Sequence, residues 1–256
     1  GRYTDEKKSF NNILTARTGS KSWGLNNWRT TLDWKPQPNV TIYGSYAHAE
    51  KSGNIGAATV QFTADATPVN VPILTAFDPE ENGAFELGIK SELLDRRVFV
   101  DFDVYQSKWK SIVIPQIRTE VVDPRSGNVG TIRTPTAFNV NAGDATIRGA
   151  EFSVNARITD RVDGSFGVSY TDANYDKARV DSFKSFPSFS PTGDVSGKQI
   201  LRTSPWQLAA SLGYTAPLAD GKAFFVRGDL SYRDKQFADA TNEAITPDQT
   251  KLNMAI

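Results

Sequence analysis

The chain has 256 residues with 29 basic and 29 acidic side chains, so it carries no net charge and no overall field that would draw nucleic acid. It has no cysteine, one histidine (His48) and one methionine (Met254), which excludes disulfides and thiolate metal sites. The mean hydropathy of −0.41 and the lack of any apolar run of about 18 residues exclude a helical membrane protein, but an alternating transmembrane strand has unremarkable average hydropathy.

Period-2 alternation recurs along the chain. Arg2–Thr4 reads as the end of a first strand. Asn27–Lys35 sets Trp28, Thr30, Leu32 and Trp34 against Arg29, Thr31, Asp33 and Lys35. Val40–Tyr46 sets Val40, Ile42, Gly44 and Tyr46 against Thr41, Tyr43 and Ser45. Phe85–Lys90 sets Phe85, Leu87 and Ile89 against Glu86, Gly88 and Lys90. In Val98–Val104, Asp101 and Asp103 oppose Val100, Phe102 and Val104. Later come Ala150–Ala156, with Phe152 and Val154 opposite Glu151 and Ser153, and Ser165–Thr171, with Phe166, Val168 and Tyr170 on one side. Trp206–Thr215, Phe224–Arg233 and Leu252–Ile256 complete roughly ten strands, and no amphipathic helix is evident.

A soluble antiparallel sheet would alternate in the same way. Connection lengths separate the two readings. Short turns follow Trp34, Glu92, Ala156 and Thr215. Long polar connections run over Asp5–Asn26, Lys51–Gly83, Ser111–Gly143, Asp172–Pro205 and Asp234–Gln249, and short and long alternate throughout. A membrane barrel has short turns at one rim and long loops at the other. With strand directions set in this way, Trp28, Trp109, Tyr170, Trp206 and Tyr232 fall near the long-loop rim. Trp34 and Tyr214 fall near the short-turn rim, as two aromatic girdles facing lipid. Trp109 is out of phase with Val100 and Phe102, so it joins the girdle only if a bulge intervenes. The opposite face carries charges of both signs, which suits a wide, wet lumen. The fold expected is therefore an all-β, antiparallel up-and-down transmembrane β-barrel.

Several segments resemble the barrel region of TonB-dependent outer-membrane receptors. These are Gly1-Arg2-Tyr3-Thr4-Asp5, Val40–Ala47 with Lys51-Ser52-Gly53, Pro79-Glu80 with Phe85–Leu93, Arg148-Gly149-Ala150-Glu151, and Ser196–Gln199 with Ser204-Pro205-Trp206. His48-Ala49-Glu50 departs from the family's usual Gly-Phe. The resemblance implies that residues 1–256 are part of a barrel of about 22 strands. It further implies a plug domain and a TonB-contacting segment elsewhere in the protein, with both ends of this chain cut from something longer. It implies an outer-membrane location in a Gram-negative bacterium, contact with outer-membrane lipid, and TonB-energised uptake of a scarce large solute such as a ferric siderophore. Two alternatives stay open: a passive porin-type barrel and a secreted all-β module that binds glycans.

No catalytic constellation or cofactor motif is found, so no enzyme activity, metal site or cofactor is expected. His48 has no second histidine to complete a metal site and reads as a rim residue. Asp172, Asn174 and Asp176 begin a calcium-loop spacing but lack its glycine and terminal glutamate. Asp101 and Asp103 share a strand face and read as lumen charges paired to Lys90 or Arg148, ahead of a catalytic pair. Candidate ligand contacts lie in the long connections. Arg118, Arg125, Arg133 and Lys184 could meet an anionic chelate, and Trp23, Tyr175 and Phe186 could stack on a flat one.

Overall fold

A computed structural model describes residues 1–12, 17–62, 69–123, 125–185, 190 and 192–256. The strands are β1 (Arg2–Asn12), β2 (Arg17–Gln37), β3 (Val40–Lys51), β4 (Asn54–Phe62), β5 (Val69–Phe77), β6 (Glu80–Leu93) and β7 (Val98–Val122). They continue with β8 (Val129–Arg157), β9 (Val162–Ala178), β10 (Trp206–Pro217), β11 (Ala223–Arg233), β12 (Gln236–Phe237), β13 (Ile245–Thr246) and β14 (Gln249–Ala255). Ten of them form one antiparallel path, β1-β2-β3-β6-β7-β8-β9-β10-β11-β14, in which each strand pairs with its neighbours along the chain. The hairpins β4–β5 and β12–β13 lie off this path. The path is open, with β1 and β14 at its two edges.

Register makes two continuous faces. One cross-strand row runs Trp34, Ile42, Ile89, Phe102, Phe152, Val168, Leu208, Tyr232. The next row on the other face runs Asp33, Tyr43, Gly88, Asp103, Glu151, Ser169, Gln207, Arg233, Gln249. On the apolar face Leu32 is 76%, Trp34 62% and Leu212 57% exposed. Such a contiguous exposed surface is untenable in water at about 25 cal/mol per Å² and is what lipid solvates. The apolar face is therefore the outer one and the polar face lines the lumen.

The short connections are tight. Pro38-Asn39 joins β2 to β3, and Leu94, Asp95 and Arg96 turn in the left-handed region between β6 and β7. At the opposite end the structure departs from the sequence expectation. Three of the five segments read as long polar loops, Asp5–Asn26, Lys51–Gly83 and Ser111–Gly143, are largely paired backbone: β1–β2 is zipped up to Asn12↔Arg17 and β7–β8 up to Val122↔Val129. A membrane crossing needs about 9 to 11 residues, whereas β7 has 25 and β8 has 29. Beyond the bilayer both faces of a hairpin meet water, so hydrogen bonding continues after the hydrophobic alternation has ended.

Bulges lie just above the long-hairpin rim. Register slips in β7–β8 between Trp109 and Val113, and in β8–β9 between Asp144 and Ala145. Ser111 sits at φ 56° there. Its N–H donates to Asp144 Oδ1 at 2.9 Å and its carbonyl accepts from Asn141 Nδ2 at 2.8 Å. Two small apolar clusters pack above this level. Ile112, Ala145, Tyr175, Ala178, Val180, Val195 and Ala240 form one. Val60, Phe62, Val71, Val121 and Phe138 form the other, where the β4–β5 hairpin lies on β7–β8.

The aromatic residues of the outer face lie near its two ends. Trp28 meets Tyr46 with ring centroids 5.4 Å apart, and Tyr170 meets Trp206 at 4.8 Å. Tyr232 is on the same face near the long-hairpin end, with Trp34 and Tyr214 near the short turns. Trp109 is a correction. Pairing is unbroken from Val98 to Trp109, so no bulge precedes it; it faces the lumen side and packs against the Ile112–Tyr175 cluster.

Candidate functional site

The lumen face is a ladder of short polar contacts. The Tyr43 hydroxyl donates to Glu86 Oε1 at 2.7 Å, and Lys90 Nζ lies 2.9 Å from Asp101 Oδ2. The Arg29 guanidinium donates to Ser45 Oγ at 3.1 Å. Arg148, the other expected partner of the Asp101–Asp103 pair, is a correction. It shares the outer face with Ala150 and Phe152, and its Nε donates to Gln106 Oε1 at 3.0 Å. Asp103 and Glu151 stand directly opposite each other on β7 and β8. They line a recess of about 590 Å³ whose far side carries Arg233 and Lys251. The carboxylates are thus on one wall and the cations on the other.

Above the lumen, the hairpins are tied together at Asp78, in the connection between β5 and β6. Lys21 Nζ lies 2.5 Å from Asp78 Oδ1, and Trp23 Nε1 donates to the same oxygen at 3.5 Å. The Asp78 N–H donates to Asn141 Oδ1 at 2.7 Å, and Asn141 Nδ2 donates back to the Asp78 carbonyl at 2.9 Å. The hydrogen bonds from Lys21 and then Trp23 hold the Asp78 carboxyl below the usual carboxylate range. One residue, through its carboxylate on one side and its backbone on the other, thereby joins β1–β2 to β7–β8.

The candidate ligand contacts fall in three separate places. The Trp23 ring is 7% exposed, with Lys8 Nζ and Lys21 Nζ 5.8 and 5.6 Å from its centroid, and it abuts Gly53. Tyr175 is 4% exposed within the Ile112 cluster, where burial raises its phenol pKa. Both rings serve as packing in this arrangement. Arg118 and Arg125 border the β4–β5 cluster: Arg118 Cζ is 6.0 Å from the Phe138 centroid and Arg125 Cζ is 5.5 Å from that of Phe62. Arg125 is paired to Asp123 at 2.5 Å, and this hydrogen bond holds the Asp123 carboxyl low. Arg118 Nε is buried without a partner among the described residues. Arg133 lies in β8 and Lys184 in the turn Asp181–Ser185, but their side chains, like all of Phe186, lie outside the described residues.

Sequence reasoning missed Asp78 and Asn141. Neither has a local signal, because their partners are 57 and 63 residues away. His48 is at the outer rim, with Nε2 3.2 Å from Glu50 Oε1. Among the described residues no cluster of three or more His, Cys, Asp or Glu is placed to hold a metal ion.

An antiparallel sheet with an apolar outer face, a charged inner face and hairpins extended beyond one rim defines the wall of an outer-membrane-type β-barrel. The model of the TonB-dependent receptor-like β-barrel family matches residues 1–256, and the chain belongs to that family. The family consists of transport receptors of the Gram-negative outer membrane. A curated relative, the probable TonB-dependent siderophore receptor PiuA of Acinetobacter baumannii, is 24% identical over 178 residues, 68% of this chain and 21% of its own length. The chain therefore spans about a fifth of that relative. Among solved structures, the ferric yersiniabactin uptake receptor FyuA of Yersinia pestis matches with TM-score 0.65 and 12% identity over 93% of this chain and 30% of its own. The siderophore receptor PiuA of Acinetobacter baumannii matches with TM-score 0.62 and 18% identity, over 98% and 32%. These structural likenesses establish the shared fold.

Proposed function

We propose that this chain is the barrel wall, with its ligand-facing hairpins, of a receptor that takes up a ferric siderophore or a similar large chelate, energised through TonB. The observation that carries the reading is the two-faced sheet, solvated by lipid on one side and charged on the other, within a family of transport receptors. The curated relative's designation as a siderophore receptor supports the ligand class. Arg118, Arg125, Arg133 and Lys184 supply cations for an anionic chelate, and TonB would engage a part of the protein outside this chain.

The test is uptake of a radiolabelled ferric chelate by cells carrying the intact gene, with and without a protonophore. Uptake that needs both the gene and the proton gradient is the expected result. Uptake that survives the protonophore would indicate a passive channel. A receptor that binds no ferric chelate but retains a glycan would point to the binding-module alternative.

A further inference from the structure

On the outer face, three consecutive rungs of β3, β6 and β7 enclose a recess of about 320 Å³. The rungs are Tyr46–Phe85–Gln106, His48–Gly83–Lys108 and Glu50–Glu81–Lys110. The middle rung has no side chain at Gly83, which lets the Tyr46 hydroxyl lie over it at the floor of the recess; a Cβ there would be 2.7 Å from that oxygen. Gln106 lines the recess, and Arg148 takes its carbonyl oxygen, which leaves its NH₂ as the group free to donate. Among the described residues neither lysine ammonium has an ion-pair or hydrogen-bond partner. Of the nearby acids, two are engaged and the third, Glu81, lines the recess against two lysines. Glu50 is taken by His48 and by the Asn26 N–H, Asp176 by Thr146, and Glu81 stands on the outermost rung opposite Lys110.

We propose that this recess seats the phosphate of a membrane lipid in the outward leaflet. Donors converge on it from Tyr46, Gln106, Lys108 and Lys110, a set suited to phosphate oxygens. Its position selects a lipid. Immediately below Gly83 the same face continues as Phe85, Leu87 and Val104, which are 49%, 46% and 38% exposed. A phosphate held at the Gly83 rung therefore has its acyl chains laid along that surface. The proposal rests on the reading of the apolar face as lipid-facing. It is independent of which solute the receptor imports.

The experiment uses the intact receptor purified in detergent, with native mass spectrometry reading retention of phosphatidic acid and phosphatidylcholine of matched chains. Phosphatidic acid should be held about tenfold more tightly than phosphatidylcholine. Lys108→Gln with Lys110→Gln should weaken phosphatidic acid about tenfold and leave phosphatidylcholine unchanged. Gly83→Val, which drives the Tyr46 hydroxyl off the floor of the recess and keeps both lysines, should do the same. Heat-modifiable mobility verifies that each variant is folded, and either one alone decides the matter. Equal retention of the two lipids by the wild type, or undiminished phosphatidic acid in a folded variant, would overturn the proposal. Displacement by inorganic phosphate at the same concentration as the lipid would also overturn it, in favour of a free-anion site. A protein that retains neither lipid and needs no detergent would instead overturn the lipid-facing reading itself.

Discussion

Trp23 and Asp78 are 55 residues apart in sequence, and the indole N–H of one points at the carboxylate of the other across 3.5 Å. With Lys21 on the same oxygen and Asn141 on the Asp78 backbone, this contact is where the hairpins above the membrane meet.

Acid should loosen that junction. The Asp78 pKa is lowered in the folded state, so its contribution is fully present above the unfolded value of about 4 and is lost as pH falls through the lower folded value. Hydrogen exchange of the intact receptor should show protection at Lys21–Leu25 and near Asn141 falling below about pH 4. In Asp78→Asn the same amides should already be less protected at neutral pH, with little further change on acidification. A pH response identical in the variant and the wild type would refute the role given to Asp78.

The two faces should respond differently to arginine. Phe102→Arg or Leu208→Arg places a guanidinium against lipid and should cost about 2 to 4 kcal/mol near the midplane. Ser153→Arg, on the lumen face directly opposite Asp101, should cost far less. Urea unfolding of the full-length barrel in lipid vesicles measures both, and equal costs would refute the assignment of faces.

Sidedness can be read cleanly because the chain has no cysteine. Single cysteines at Ser126 or Glu243, on the long-hairpin side, should react with an impermeant maleimide in intact cells. Cysteines at Asp160 or Lys222, in the short turns, should react only after lysis. Labelling of both sets in intact cells would contradict the topology.

Phe62 is buried between β4–β5 and β7–β8, and its backbone makes the pairing with Ile132 that attaches β4 to β8. Phe62→Ala should cost about 3 to 5 kcal/mol of local stability. The loss should appear as faster hydrogen exchange confined to β4 and β5, with the transmembrane strands unaffected. Loosening spread through β10 and β11 would show that the cluster is part of a larger cooperative unit.

The transmembrane wall was legible because lipid on one face and a wet lumen on the other impose strict alternation. Nine of the ten alternating segments fall inside a strand of the main path, and the tenth, Leu252–Ile256, overruns the end of β14 by one residue. The extensions of β1, β2, β7 and β8 were not legible, since a hairpin wet on both faces carries no period. Trp109 misled because its ring joins a cluster assembled from β7, β8, β9 and the residues after Phe237, which no local pattern encodes. For the candidate site, residue type nominated Arg118 and Arg125, and nothing in the sequence places them beside Phe138 and Phe62. The burial of Trp23 and Tyr175 depends on partners from distant hairpins and could be seen only in three dimensions.

The bulge at Ser111 has a mechanical consequence. From Val113 to Val122 the strand rises about 33 Å above it, so a swing of about 10° at that level would carry the tip roughly 6 Å. A free bulge would make the β7–β8 arm a flail. Here the Asp144 carboxylate and the Asn141 amide clamp both backbone polar groups of Ser111, and Asn141 is itself fastened to Asp78. The joint is an elbow set at one angle. The arm is aimed by the side chains at its base, and Arg118 and Arg125 towards its tip are set in direction with it.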